Sequence, residues 1–198
     1  MKVTAAEFVT SAVSPEGYPA LRLPEIAFMG KSNVGKSSLI NSLLAGRKLA
    51  RTSNTPGRTQ LINFFRVNGA FLFVDLPGYG YAKVPLAIKK QWGVMVENYL
   101  ANRNELVLSI LIVDARHAPT ENDLQLKSWL DHRGLPYVVV ATKADRLSNN
   151  QLRKTLRAAS ASLGVDIDAI LPYSSVTGRG GDRIWRAITE RVELFRPL

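Results

Sequence analysis

Short apolar runs and helically spaced apolar positions alternate along most of the chain. Residues 26–29 form an apolar run that ends at Gly30, and 37–44 follow with helix-like spacing. Residues 61–67 and 70–76 read as two strands joined around Asn68-Gly69, a strong hairpin signal. Pro85 suits the first turn of a helix whose face carries Ile88, Trp92, Val96 and Tyr99. Residues 106–113 are apolar apart from Ser109, as a strand buried on both faces should be. Thr120-x-x-Asp123 opens a helix bearing Leu126, Trp129 and Leu130, and 137–141 read as another buried strand. Ser148-x-x-Gln151 is a capping box ahead of Leu152, Leu156, Ala159 and Leu163. A short strand at 169–173 precedes a closing amphipathic helix with Ile184, Ile188, Val192 and Phe195.

Strand–helix alternation implies parallel strands with crossover helices on both faces. The hairpin adds one antiparallel pair. The expected fold is a three-layer α/β/α domain with a mixed, roughly six-stranded, mostly parallel sheet. It spans 1–198 as a single domain, with 1–22 as an N-terminal extension packed on it. Ligands in such sheets sit at the carboxyl ends of the strands.

Composition narrows the chemistry. With 198 residues, 46% apolar and 21% charged, the chain can bury a sizeable core without staples. It has no cysteine, which excludes disulfides, cysteine-based zinc sites and thiol catalysis. His117 and His132 are its two histidines, too few for a multi-histidine metal site. No run reaches the ~18 apolar residues of a membrane span. The start has no basic flank before an apolar core, so a cytoplasmic location is expected.

The net charge is +10, which points to a polyanionic partner. It is unevenly placed. Between Glu25 and Asp75 there is no acid, while Lys31, Lys36, Arg47, Lys48, Arg51, Arg58 and Arg66 are all basic. A second acid-free stretch between Asp145 and Asp166 carries Arg146, Arg153, Lys154 and Arg157. Arg153 and Arg157 share a helix face.

Gly30-Lys31-Ser32-Asn33-Val34-Gly35-Lys36-Ser37 fits G-x-x-x-x-G-K-[ST] between a strand and a helix, the context of a phosphate-binding loop. Backbone N–H groups and a helix N-terminus surround the anion there. Lys36 is placed to meet the β- and γ-phosphates, and Ser37 to offer a hydroxyl to Mg²⁺. Asp75-Leu76-Pro77-Gly78 ends the second hairpin strand. Its carboxylate can hold Mg²⁺ through water, and the Gly78 amide can sense a γ-phosphate. Thr59, in a Pro- and Gly-containing loop, can complete the Mg²⁺ shell. Thr142-Lys143-Ala144-Asp145 ends a further strand. Asp145 can accept guanine N1–H and N2–H₂, a donor pair adenine lacks, while the Lys143 stem covers the purine. Ser174 and Ser175 can offer backbone amides to guanine O6.

In this order at these strand ends, the elements resemble the translation-factor-related small GTPases of the Era and EngA type. More narrowly they resemble the EngB family, also called YihA or YsxC, of bacterial ribosome-biogenesis GTPases. The likeness is carried by GKSNVGKSS at 30–38, TPGRTQLINFF at 55–65, DLPGYGYA at 75–82 and TKAD at 142–145, and it covers about 20–195. It implies GTP and GDP binding, Mg²⁺ dependence, slow GTP hydrolysis, and action on the large ribosomal subunit or its precursor rRNA. It also implies a need in normal cell division and septation and a P-loop GTPase fold. With no basic amphipathic helix free for lipid, a monomer that binds no membrane is expected.

Carried onto this chain, nucleotide contacts fall on Gly30, Lys31, Ser32, Asn33, Val34, Gly35, Lys36, Ser37 and Ser38. They continue at Gly57, Arg58, Thr59, Gln60 and Leu61, at Asp75, Leu76, Pro77 and Gly78, at Thr142, Lys143, Ala144 and Asp145, and at Ser174, Ser175 and Val176. Lys36, Thr59 and Gly78 take the catalytic roles, and Ser37, Thr59 and Asp75 the metal.

Two details depart from common GTPase patterns. Thr142 stands where many carry an asparagine that ties the base loop to the phosphate loop, which leads us to expect modest affinity. Tyr79 follows Gly78 where many carry a water-orienting glutamine, so turnover should be low. Asn33 matches the phosphate-loop asparagine of relatives that use K⁺ in place of an arginine finger; a loop-stabilising role is the alternative. Phe64, Phe65, Phe71 and Phe73 read as core by their alternation. Tyr79, Tyr81 and Lys83 suit either a partner contact or local packing. Two rival functions stay open: a P-loop kinase of a small molecule, and a GTPase at the membrane or division machinery.

Overall fold

The computed structural model describes residues 1–50, 61–79 and 86–196, with the backbone alone over 86–92. Expectations at Arg51, Gly57, Arg58, Thr59, Gln60, Tyr81, Lys83 and Pro85, and for the side chains of Ile88 and Trp92, lie outside the described residues.

In chain order the elements are β1 (Ala6–Ala12), β2 (Glu25–Gly30), α1 (Lys36–Leu43), β3 (Ile62–Val67), β4 (Phe71–Asp75) and α2 (Leu86–Asn102). They continue with β5 (Leu106–Asp114), α3 (Glu121–His132), β6 (Tyr137–Thr142), α4 (Asn149–Leu163), β7 (Ile170–Pro172) and α5 (Gly181–Leu194). The strands form one 7-stranded sheet ordered β1-β3-β4-β2-β5-β6-β7. β3 alone runs against its neighbours, pairing antiparallel with both β1 and β4. All other pairings are parallel.

The strand beyond the expected six is β1. Its Ala-Glu-Phe-Val-Thr-Ser-Ala sequence lacks a clean two-residue alternation, and its pairing with β3 slips between Phe8 and Thr10. The turn between β3 and β4 holds it. Asn68 and Gly69 both adopt positive φ, 51° and 68°, as a two-residue hairpin turn requires. The Asn68 Oδ1 then accepts from the Thr4 and Ala5 amides at 2.8 and 3.1 Å.

Strand side chains alternate between two cores, as the pleat dictates. Ala27, Met29, Val74, Leu111, Val113 and Val139 pack with Tyr99 of α2, Leu130 of α3 and Leu163 of α4. Ile26, Phe28, Phe73, Ile110, Ile112 and Val140 pack with Leu39 and Leu43 of α1 and Ile184 and Ile188 of α5. The four phenylalanines of the hairpin are all core. Both capping boxes form: the Thr120 amide donates to Asp123 Oδ2 at 2.6 Å, and the Ser148 amide to Gln151 Oε1 at 3.0 Å.

At the amino ends of the strands, Glu25 is 0% exposed. It accepts from the Tyr99 hydroxyl at 2.8 Å and from Arg103 Nη2 at 2.6 Å. Burial pushes the Glu25 carboxyl up, and the Arg103 and Tyr99 bonds offset this only in part. Arg103 also donates to the Pro19 carbonyl at 2.8 Å, so the end of α2, β2 and the N-terminal segment share one polar anchor. The opposite end of the sheet is left to the loops. There the chain leaves β2 with β4 on one side and β5 on the other, a topological switch point where a ligand crevice opens.

Candidate nucleotide site

The phosphate-loop sequence joins the carboxyl end of β2 to α1 at that switch point. Asn33 and Gly35 take positive φ, 62° and 107°; the second suits a residue without Cβ. The first turn of α1 holds no acid, so its positive end is uncompensated. Lys36 heads the helix and pairs with Oδ1 of Asp75, the last residue of β4. Both are buried, at 9% and 3% exposure. An anion seated in the loop would compete with Asp75 for the lysine and release a carboxylate.

Residues 76–79 run along the phosphate loop. The Leu76 amide donates to Phe28 O at 3.1 Å, Tyr79 N to Gly30 O at 3.4 Å, and Ser32 N to Tyr79 O at 2.9 Å. Gly78 sits so close that a Cβ there would lie 3.3 Å from the Ser32 backbone. Gly78 and Tyr79 thus abut Gly30, Lys31 and Ser32. The Tyr79 side chain leaves this mouth: its hydroxyl donates to Asp123 Oδ1 at the head of α3, 2.5 Å away. Burial, and next the Asp123 charge, push the phenol far up, so it stays protonated.

The segment after β6 approaches the loop from the other side. The Thr142 hydroxyl lies 2.6 Å from Val34 O and 3.1 Å from Val113 O. One hydroxyl proton serves one acceptor at a time, and the shorter contact reaches the phosphate loop. The tie expected to weaken where asparagine is replaced is therefore made by threonine. Lys143 takes a left-handed backbone, φ 60°, and its ammonium donates to Asn33 O and to Asp114 Oδ2, each at 2.8 Å. Ala144 N is held by Tyr173 O at 3.1 Å.

Asp145 and Ser174 line a cavity of ≈ 370 Å³ with Ala144, Leu147, Pro172 and Arg179. Leu152, Asn149 and Thr177 complete its lining, so polar and apolar side chains share its walls. The expected amide donors need a correction. Ser174 N is already spent on Arg179 O at 3.1 Å, and the Val176 amide goes to the Ser174 hydroxyl at 3.3 Å. Within the pair Ser174-Ser175 this leaves the Ser175 amide as the donor without a bond among the described residues. Val176 is exposed at the tip of that turn, Ser38 lies in the first turn of α1, and Leu61 is half-exposed just before β3.

The sequence reading passed over Asp114 and Arg116, and took Asp123 only as a helix cap. The signal for Asp114 was an acid directly closing the apolar run 106–113, at the carboxyl end of a buried strand. Partial burial pushes its carboxyl up, but bonds from Arg116 and Lys143 outweigh that and hold it well below the usual range. No three His, Cys, Asp or Glu residues cluster among the described residues, so a metal here would draw donors from a phosphate as well as the protein. No helix among them is long and apolar enough to cross a membrane.

Known proteins resemble this chain in sequence and in fold. Residues 25–143 match the family model described as 50S ribosome-binding GTPase. The probable GTP-binding protein EngB of Solibacter usitatus is 54% identical over 193 residues, 98% of this chain and 99% of that one. A solved structure of a probable GTP-binding protein EngB superposes with TM-score 0.72 at 23% identity, over 85% of this chain and 98% of its own. Era in complex with MgGDPNP and a segment of 16S ribosomal RNA superposes with TM-score 0.67 at 23% identity, over 89% of this chain and 59% of its own. At such identity the structural likeness is one of fold.

Proposed function

The chain belongs to the EngB family of GTP-binding proteins, and on that premise we propose a cytoplasmic, Mg²⁺-dependent GTP switch that hydrolyses slowly. It acts on the large ribosomal subunit during assembly and thereby supports cell division and septation. The carrying observation is convergence on the phosphate loop: Lys36 pairs with Asp75 at its end, Gly78 lies against Ser32, and Lys143, two residues before Asp145, donates to Asn33 O. Residues 1–198 work as one domain.

Lys36 turns from Asp75 to the nucleotide phosphates. Ser37 and the freed Asp75 then offer the hard oxygen donors that Mg²⁺ takes, with Thr59 as the proposed third. An Mg²⁺ ion held by these residues would supply positive charge against the phosphate oxygens. Gly78, already against the loop, senses the γ-phosphate through its amide. Slow hydrolysis follows from Tyr79, whose phenol is engaged by Asp123 and offers no amide to orient water. Asn33 is the proposed K⁺ ligand, and turnover should be faster in KCl than in NaCl at equal ionic strength.

The ribosomal partner is supported by the family description and by surface charge. Arg153, Lys154 and Arg157 on α4 are exposed, and among the described residues none makes an ion pair. Neutralising rRNA phosphates would lower log affinity linearly with log salt, by roughly 0.7–0.9 per contact.

The test has two arms. Asp145→Asn should lose GTP and gain xanthosine triphosphate; retained GTP binding would refute the base assignment. Cosedimentation with large subunits should be tighter with a GTP analogue than with GDP, and weakened by Arg153→Glu with Arg157→Glu. Equal, salt-independent binding in both states would refute the ribosomal reading.

A further inference from the structure

We propose that Asp114, at the carboxyl end of β5, is the positioning residue that fixes Lys143 across the purine face and so sets how long a guanine nucleotide stays bound. The proposal rests on the reading of Thr142–Asp145 as the base turn and adds a residue to it.

The β5–β6 ladder brings the two together. Asp114 is the register partner of Thr142, and Ala115 N donates to Thr142 O at 2.9 Å, so the residue after Thr142 starts beside the carboxylate. The ammonium of Lys143 has three N–H donors. Two are committed, to Asp114 Oδ2 and Asn33 O. A lysine is otherwise a flexible stem with a strongly hydrated head. Here its head is pinned between the β5 end and the phosphate loop. Its Cε passes 3.8 Å from where a Cβ on Gly35 would stand, so the stem crosses the loop.

Asp114 is itself held from behind. Arg116 donates through Nε to Oδ1 at 2.9 Å and through Nη2 to Oδ2 at 2.8 Å, and its amide donates to Oδ1 at 3.1 Å. This two-pronged grip fixes the plane of the carboxylate. A row of charge-assisted bonds thus runs from Arg116 through Asp114 and Lys143 to Asn33. Within this row the Lys143 stem is the part that meets the base. Asp114 acts through it, reducing the freedom that Lys143 would lose when a purine arrives.

The experiment is release of fluorescent GDP and of a fluorescent GTP analogue, followed by stopped flow, with steady-state GTP turnover alongside. Asp114→Asn should speed release of both nucleotides at least tenfold, the size expected for one charge-assisted bond. KM should rise while kcat at saturation holds. Lys143→Met should give the same acceleration, and the double variant no more than either single, because both remove one device. Arg116→Met, a change at a half-exposed side chain, should give a smaller acceleration and keeps the test open should Asp114→Asn not fold. Unchanged release in Asp114→Asn or Arg116→Met, or additive effects in the double variant, would overturn the proposal. Unchanged guanine binding in both Lys143→Met and Asp145→Asn would instead overturn the base-turn reading beneath it.

Discussion

The Tyr79 hydroxyl and the Asp123 carboxylate meet at 2.5 Å across 44 residues of sequence. The same carboxylate caps α3 through its other oxygen, which accepts from the Thr120 amide at 2.6 Å. The main chain of Tyr79 meanwhile pairs with Gly30 and Ser32. One residue therefore links the phosphate loop, through its backbone, to the head of α3, through its side chain.

Tyr79→Phe removes only the hydroxyl and leaves Asp123 Oδ1 without its donor. Urea denaturation should report a loss of about 1–3 kcal/mol. Single-turnover GTP hydrolysis should stay within about threefold of the parent, since the phenol lies away from the phosphates. A loss of hydrolysis far beyond that would assign Tyr79 a direct part in the reaction.

Thr142→Val keeps the shape of the side chain and deletes its donor to Val34 O. Guanine nucleotide affinity, measured by calorimetry, should fall about tenfold, the equivalent of one buried hydrogen bond. Equal affinity would mean that the contact positions nothing the nucleotide uses.

Arg103→Met leaves Glu25 fully buried with Tyr99 as its donor. Breaking such a pair should cost about 3–5 kcal/mol at pH 8. The sign of its pH dependence follows from burial, which raises the Glu25 carboxyl above its ordinary value, further still without the arginine. A raised acid is accommodated when protonated and costs stability as pH climbs through its folded value. The deficit of the variant should therefore be smaller at pH 5 than at pH 8, by thermal melts at both.

Asp114 titrates the other way. Its folded value is depressed, so its contribution is complete above the unfolded value of about 3.9 and is lost as pH falls below it. The stability difference between the parent and Asp114→Asn should stay constant from pH 8 to 5 and shrink only below about pH 4. A difference that changes near neutrality would point to another group.

Much of the site was legible along the chain because its parts are local. The phosphate loop is eight consecutive residues between a strand and a helix, and the hairpin turn is two. Both capping boxes span four residues and appear where the spacing put them. Thr142–Asp145 was readable for the same reason, as a turn at the end of an apolar run. The Ser174 amide was misjudged because its partner, Arg179 O, is set by the shape of the following loop, which no residue type announces. β1 escaped notice because an edge strand with a slipped register need not alternate cleanly.

By itself, the sequence determined much of what depends on neighbours within a few residues: the periods of most strands and helices, turn glycines, caps, and the residue types of a guanine nucleotide site in their order. Tertiary structure alone decided which distant side chains share a charge or a proton. Lys36 meets Asp75, Asp114 meets Lys143, and Tyr79 meets Asp123 because the sheet places β4 and β5 on either side of β2 and stacks their carboxyl ends at one mouth. Glu25 is buried with Arg103 because the same order gathers the amino ends at the other. Such pairings depend on strand order and crossover, and these are settled only when the two apolar faces of the sheet find their helices.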